Sequence, residues 1–143
     1  MRLATIGLLV AIAISACGPP AGRLFETALP FAGGDPYPVV LGDSTGLVTG
    51  IEPAEVDVWA FSDPRVEANP ADPNAFILGW QGGCDTEAAI SFSRSETSYG
   101  LNLVVRGGPG LFGGCPAMAI PRGLRITTSS PIAIDSIVVY GAG

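Results

Sequence analysis

The chain has 143 residues, with seven arginines, no lysine and no histidine against thirteen acidic residues, for a formal charge of −6. Such a surface repels phosphates and anionic head groups, which excludes basic-patch recognition and, with it, nucleic acid as a partner. Without histidine or lysine the usual bases of triad and dyad chemistry are missing, so the composition points away from an enzyme and implies no cofactor.

In chain order, Arg2 and the apolar run Leu3 to Ala16 come first. They have the flank and length of a secretory leader and fall short of the about 20 residues that a membrane-spanning helix requires. Ile14-Ser15-Ala16-Cys17 follows, with Gly18-Pro19-Pro20 behind it. This tetrapeptide resembles the lipobox of bacterial prolipoproteins, in which an aliphatic and two small residues expose the bond before a cysteine. The resemblance covers the first 17 residues. It implies cleavage after Ala16, a diacylglycerol on the Cys17 thiol and a further acyl chain, such as palmitate, on the new amine. Two or more acyl chains anchor a domain stably, each buried methylene contributing about 0.8 kcal/mol. The implied location is the cell envelope, with the membrane as a partner through the lipid. Because Gly18 and not an acid follows Cys17, that means the outer membrane where there are two membranes, and the outer face of the cell membrane where there is one. The alternative is an ordinary cleaved leader with an unmodified cysteine.

The organisation expected is thus a signal peptide over residues 1–16, a lipidated Pro/Gly-rich tether over 17–36 and a single β domain over 37–143. Cleavage removes Arg2 and deepens the negative charge by one. Roughly 125 residues remain, enough for one core. Within the tether, Leu24, Phe25, Leu29 and Phe31 are apolar enough to pack on the domain.

From Tyr37 onward the punctuation is that of an all-β protein. Residues 39–41, 46–51 and 56–61 are short apolar runs bounded by Gly, Pro and Asp, and residues 63–74 read as a long polar loop with three prolines. Clearer alternation follows in Phe76/Leu78/Trp80, Ile90/Phe92, Leu101/Leu103/Val105 and Leu124/Ile126/Thr128, and residues 137–140 close the chain. Period-two patterning with β-branched residues and no sustained helical period predicts a small antiparallel β-sandwich or barrel of about seven strands.

Successive reversals place Cys84, in the turn before residue 86, and Cys115, in the loop before residue 123, at one end of the domain. In an oxidising compartment the two cysteines left after lipidation are expected to form a disulfide. Two free thiols or a metal pair is the alternative, although a zinc site without histidine needs carboxylate help.

Arg106, Arg122 and Asp85 lie at the same end and are the candidate binding residues. Arginines beside the Gly-rich loop over 107–121 suit a carboxylate or sulfated glycan; the competing reading is arginine–carboxylate pairing that pins the two turns. Asp63, Glu67 and Asp72, with Asn69 and Asn74, form a weak Ca²⁺ candidate that lacks EF-hand spacing. Trp59 and Trp80 offer either a sugar platform or core packing, and their strand positions favour the core.

Three motifs are declined. Gly42-Asp43-Ser44 resembles the nucleophile block of GDS-type lipases, yet that chemistry relies on a histidine base. Gly108-Pro109-Gly110-Leu111-Phe112-Gly113 fits a dinucleotide-loop pattern but contains a proline and leads into Cys115-Pro116 instead of a helix. Asp57/Asp63 and Glu52/Glu55 are carboxylate pairs whose spacing sequence does not fix. The expected function is a lipid-anchored binding or structural module facing an envelope protein or glycan. The alternatives are a secreted protease-inhibitor-like module using the 107–121 loop, and a carboxylate-based polysaccharide hydrolase.

Overall fold

A computed structural model describes residues 22–30, 36–57, 63–107 and 120–141. Nine strands lie among them: β1 (Arg23–Leu29), β2 (Tyr37–Asp43), β3 (Val48–Pro53), β4 (Arg65–Ala68), β5 (Ala75–Gly82), β6 (Glu87–Arg94), β7 (Tyr99–Arg106), β8 (Ile120–Thr128) and β9 (Ile137–Tyr140). They form a five-stranded sheet in the order β1-β2-β6-β7-β9 and a four-stranded sheet in the order β3-β8-β5-β4. The fold is a small all-β sandwich.

The core follows from alternation. Val39 and Leu41 of β2, Ile90 and Phe92 of β6, and Leu101 and Leu103 of β7 turn inward from one sheet. Phe76, Leu78 and Trp80 of β5, with Leu124 and Ile126 of β8, meet them from the other. Phe76 and Phe92 bring their ring centroids to 6.0 Å across the two layers, and Tyr99 stacks on Phe92 at 5.5 Å. Each such side chain contributes on the order of 1.5–3 kcal/mol by leaving water, which is what holds two otherwise separate sheets face to face.

Two of the seven strand pairings, β2 with β6 and β7 with β9, are parallel; the other five are antiparallel. Parallel neighbours require a long crossover. Here the chain makes it through the opposite sheet, by β3, β4 and β5 in the first case and by β8 in the second. The expected small β-sandwich is found, with nine described strands in place of about seven and with these two parallel pairings among the antiparallel ones.

Residues 23–29, assigned by sequence to the tether, form β1 and pair along their whole length with β2, from Arg23 opposite Asp43 to Leu29 opposite Tyr37. Within the expected polar loop, residues 65–68 form β4 at the edge of the smaller sheet. Residues 56 and 57 are not in a strand, and the remainder of that expected run falls outside the described residues. So do Cys17, Phe31, Trp59, Cys115, the GPGLFG stretch and the expected leader over residues 1–16.

Candidate functional site

The inward-facing series of β8 is Arg122, Leu124, Ile126 and Thr128, so the alternation that builds the core also carries a guanidinium into it. Tyr37 opens the corresponding inward series of β2, and Asp85 sits in the turn from β5 to β6. The three meet between the sheets at one end of the sandwich. Arg122 Nη2 lies 3.3 Å from Asp85 Oδ1, with side chains 2% and 6% exposed. The same nitrogen donates to the Asp85 carbonyl at 3.4 Å. Tyr37 donates its hydroxyl to Asp85 Oδ2 in a short hydrogen bond, and the Gly83 N–H donates to Oδ1 at 2.8 Å. The Arg122 guanidinium covers the Tyr37 ring at 3.9 Å from its centroid, a cation–π contact of the stronger, desolvated kind.

Glycine makes this approach possible. A Cβ at Gly82 would stand 2.5 Å from Asp85 Oδ1 and 2.6 Å from Arg122 Nε. Just past the end of β7, a Cβ at Gly107, whose φ is +110°, would lie 2.8 Å from the Thr86 nitrogen. That nitrogen donates to the Arg106 carbonyl at 2.8 Å, so the turn after β5 is fastened to the end of β7 as well as to β8.

The electrostatics move the two acids apart. Burial, then the bond to Asp85, raises the Tyr37 phenol far above its ordinary value. Burial also works to raise the Asp85 carboxyl, but the bonds donated by Tyr37, Gly83 and Arg122 outweigh it and hold the group below the ordinary carboxylate range. A neutral phenol, a carboxylate and a guanidinium therefore persist together across the physiological range. The hydrogen bond, ion pair and cation–π contact together act as a clamp between the two sheets.

Beside the clamp opens a cavity of about 530 Å³ whose wall includes Leu29, Pro30, Pro53, Glu55, Pro121 and Arg122. It lies between the end of β1 in one sheet and the end of β3 in the other. Ala54 hydrogen-bonds Gly123 at 3.0 Å and closes one side. Glu55, exposed to solvent, brings the wall a negative charge.

The candidate residues thus divide. Asp85 and Arg122 are brought together inside the sandwich. Arg106 stays outside, its side chain 67% exposed and 3.9 Å from Glu87. Cys84 occupies the same turn as Asp85, and its expected partner Cys115 lies outside the described residues. Trp80 is buried in the core.

The carboxylates of the calcium candidate either pair with arginines or face solvent. Glu67 pairs with Arg65 at 2.7 Å on β4. Asp72 pairs with Arg125 at 2.9 Å and caps the Asn74 N–H at 2.9 Å. Asp63 is exposed ahead of β4. Among the described residues no three His, Cys, Asp or Glu side chains gather as metal ligands would.

Gly42-Asp43-Ser44 has a structural use at the opposite end of the sandwich. Buried Asp43 accepts from Thr45 N at 2.8 Å, Thr45 Oγ1 at 2.6 Å and Val48 N at 3.0 Å, shaping the passage from β2 to β3. Ser44 Oγ donates to the Phe92 carbonyl at 3.1 Å. Tyr37, missed as a site residue in the sequence, carries its signal in the inward series Tyr37, Val39, Leu41, Asp43. Comparison of the chain with family models, curated proteins and solved structures finds no match.

Proposed function

We propose that this chain is a lipid-anchored extracytoplasmic binding module, held at the membrane through an acylated Cys17 and presenting the clamp end of its sandwich to an envelope protein or glycan. The observation that carries this reading is the clamp itself. Tyr37 from the larger sheet, Arg122 from the smaller sheet and Asp85 from the turn between them tie both layers together where connections leave the strands. Loops on so stiff a base lose little entropy on binding, because folding has already ordered their anchors. The adjoining cavity supplies a recess, and Glu55 and Arg106 supply solvent-facing charge of both signs.

A Cys84–Cys115 disulfide belongs to the same proposal. Closing a loop of this size contributes roughly 3.5–4 kcal/mol in the chain-entropy account and further stiffens that end.

The test has two arms. Expressed with its own leader in a bacterium, the wild-type chain is expected in the detergent phase with a modified Cys17 as its first residue, and Cys17→Ala is expected uncleaved or in the aqueous phase. Incubated with purified insoluble envelope glycan, the wild type is expected to co-sediment, and Arg106→Ala with Glu55→Gln is expected to stay in the supernatant at an unchanged melting temperature. A freely soluble wild type with an unmodified Cys17 overturns the anchor. Co-sedimentation that ignores both surface substitutions removes this end of the sandwich as the binding surface.

A further inference from the structure

The outer face of the larger sheet departs from the pattern its strands would otherwise follow. An antiparallel sheet with one face on a core normally turns charged and polar side chains to water on the other. Here the register sets Leu24, Gly42, Ser91, Asn102 and Tyr140 in one transverse row across β1, β2, β6, β7 and β9. The next row is Glu26, Val40, Ala89 and Val104. Among the described residues this face carries only three charges, Glu26, Glu87 and Arg106, on a chain whose net charge is −6. It also holds all four of the exposed large hydrophobic residues described, Leu24, Val104, Val138 and Tyr140, with Leu24 at 64% and Tyr140 at 57% exposure.

We infer that this face is a homodimer interface, covered by a second copy of the chain about a two-fold axis that runs along the strands near β6. Charge favours that occupant. Two acidic copies repel wherever their remaining surfaces meet, and this face is nearly neutral. Arg106 stands on the β7 side and Glu26 on the β1 edge, so the two-fold brings each copy's arginine side over the other's glutamate side.

The pattern across the rows is also self-complementary under that axis, as an isologous contact requires. The β1 and β9 ends of the first row exchange, which sets Leu24 against the partner's Tyr140. In the same row Gly42 meets the partner's Asn102, and in the next Val40 meets the partner's Val104. Ser91, Ala89 and Glu87 all lie outward on β6 near the axis and meet their own copies, each Glu87 charge being flanked by the Arg106 3.9 Å from it. The Tyr140 ring lies over Gly100, since a Cβ there would stand 3.6 Å from its Cε2, and one side of the ring remains for the incoming leucine.

Small residues in the middle let the two sheets reach the spacing of about 10 Å at which aligned sheets pack. With strands about 4.8 Å apart and about 3.3 Å per residue, the patch measures roughly 20 by 20 Å. That is about 400 Å² in plan, half of the about 800 Å² per partner of a standard specific interface, and it fits only a weak, reversible dimer.

Sedimentation velocity on the full chain in a mild detergent, over a concentration series, tests the inference. A reversible monomer–dimer equilibrium is expected. Ser91→Arg, which adds bulk and a second like-charged pair at the axis, is expected to weaken it at least tenfold while leaving the melting temperature unchanged. Glu26→Arg and Arg106→Glu are each expected to weaken it, and the two together to restore it. Under mild oxidation a chain with both Leu24→Cys and Tyr140→Cys is expected to give a covalent dimer that neither substitution gives alone. A monomer at every concentration overturns the inference, as does a dimer indifferent to Ser91→Arg or one cross-linked as well by Leu24→Cys alone. A monomer that binds lipid vesicles or insoluble glycan through this face, with loss on Ser91→Arg, assigns the face to another occupant and overturns it too.

Discussion

Arg122 of β8 lies with its guanidinium 3.9 Å above the Tyr37 ring of β2, one residue from each sheet, while both reach Asp85 in the turn between β5 and β6. A buried arginine is tolerable here because its charge is met by a carboxylate and spread over a π face at once. Removing one partner of a buried pair leaves the other charge stranded, at a cost of about 3–5 kcal/mol. Arg122→Met, close in length and apolar, is therefore expected to lower the stability by that amount, read as a lower urea midpoint at unchanged slope. Arg106→Ala, acting on an exposed side chain 3.9 Å from Glu87, is expected to stay within about 0.5 kcal/mol of wild type. Equal effects from the two would mean that Arg122 is no clamp.

The clamp also sets the pH window of stability. Asp85 has a folded pKa below its unfolded value, so its contribution is present above about pH 4 and is lost as the pH falls through the folded value. Tyr37 behaves in the opposite sense. Its folded pKa is raised, so the neutral phenol contributes fully below about pH 10 and its share is lost as the pH rises beyond that. Urea midpoints measured across the pH range should fall at both ends. Tyr37→Phe should flatten the alkaline fall and lower the plateau by about 1–3 kcal/mol, because Asp85 then lacks a donor. An alkaline fall unchanged in Tyr37→Phe would assign it to another group.

The strands with clean alternation, β5, β6, β7 and the end of β8, are legible in the sequence because period two is written directly into side-chain polarity. Arg122 stands two places before Leu124 in the same inward series, but from sequence it reads as a flank of the 107–121 loop, and only its pairing with a carboxylate is foreseen there. Other features were hidden for physical reasons. β1 follows the Gly18–Gly22 breaker and stands alone as an edge strand, so its Phe25, Thr27 and Leu29 alternation looks like tether. β4 is four residues long between prolines. The parallel pairing of β2 with β6 and of β7 with β9 leaves no local trace, since alternation fixes which face a side chain takes and not which strand lies beside it. Tyr37 escaped notice because a tyrosine at a strand start reads as core, and only the fold brings it to Asp85, 48 residues on.

Gly82 tests how tightly the clamp is packed. A methyl there would meet an Asp85 oxygen and the Arg122 Nε at 2.5 and 2.6 Å, both on side chains buried between the sheets. Separating that pair forfeits much of its Coulombic gain while the burial cost stays, so Gly82→Ala is expected to cost about 2 kcal/mol or more. Gly50, with nothing within 4 Å of its added Cβ, is the control and should tolerate alanine. A Gly82→Ala midpoint equal to that of Gly50→Ala would show that the pair relaxes freely.

At the far end of the sandwich Asp43 does for the β2–β3 passage what the clamp does for the other end. Its carboxylate accepts from the Thr45 N–H, the Thr45 hydroxyl and the Val48 N–H, and it is buried at 1% exposure. Asp43→Ala leaves those donors without an acceptor in a place water reaches poorly, and each buried unpaired group costs about 1–3 kcal/mol. The expected loss is several kcal/mol, read as a lower urea midpoint with an unchanged slope. Ser44→Ala removes one part-buried bond to the Phe92 carbonyl, while the Ser44 N–H keeps its own bond to the same oxygen at 3.0 Å. It is expected to cost about 1 kcal/mol or less. If Gly42-Asp43-Ser44 were instead a nucleophile block, Ser44→Ala would abolish turnover of a model ester and spare stability. Hydrolysis by the wild type that disappears in Ser44→Ala would overturn the structural assignment of this turn.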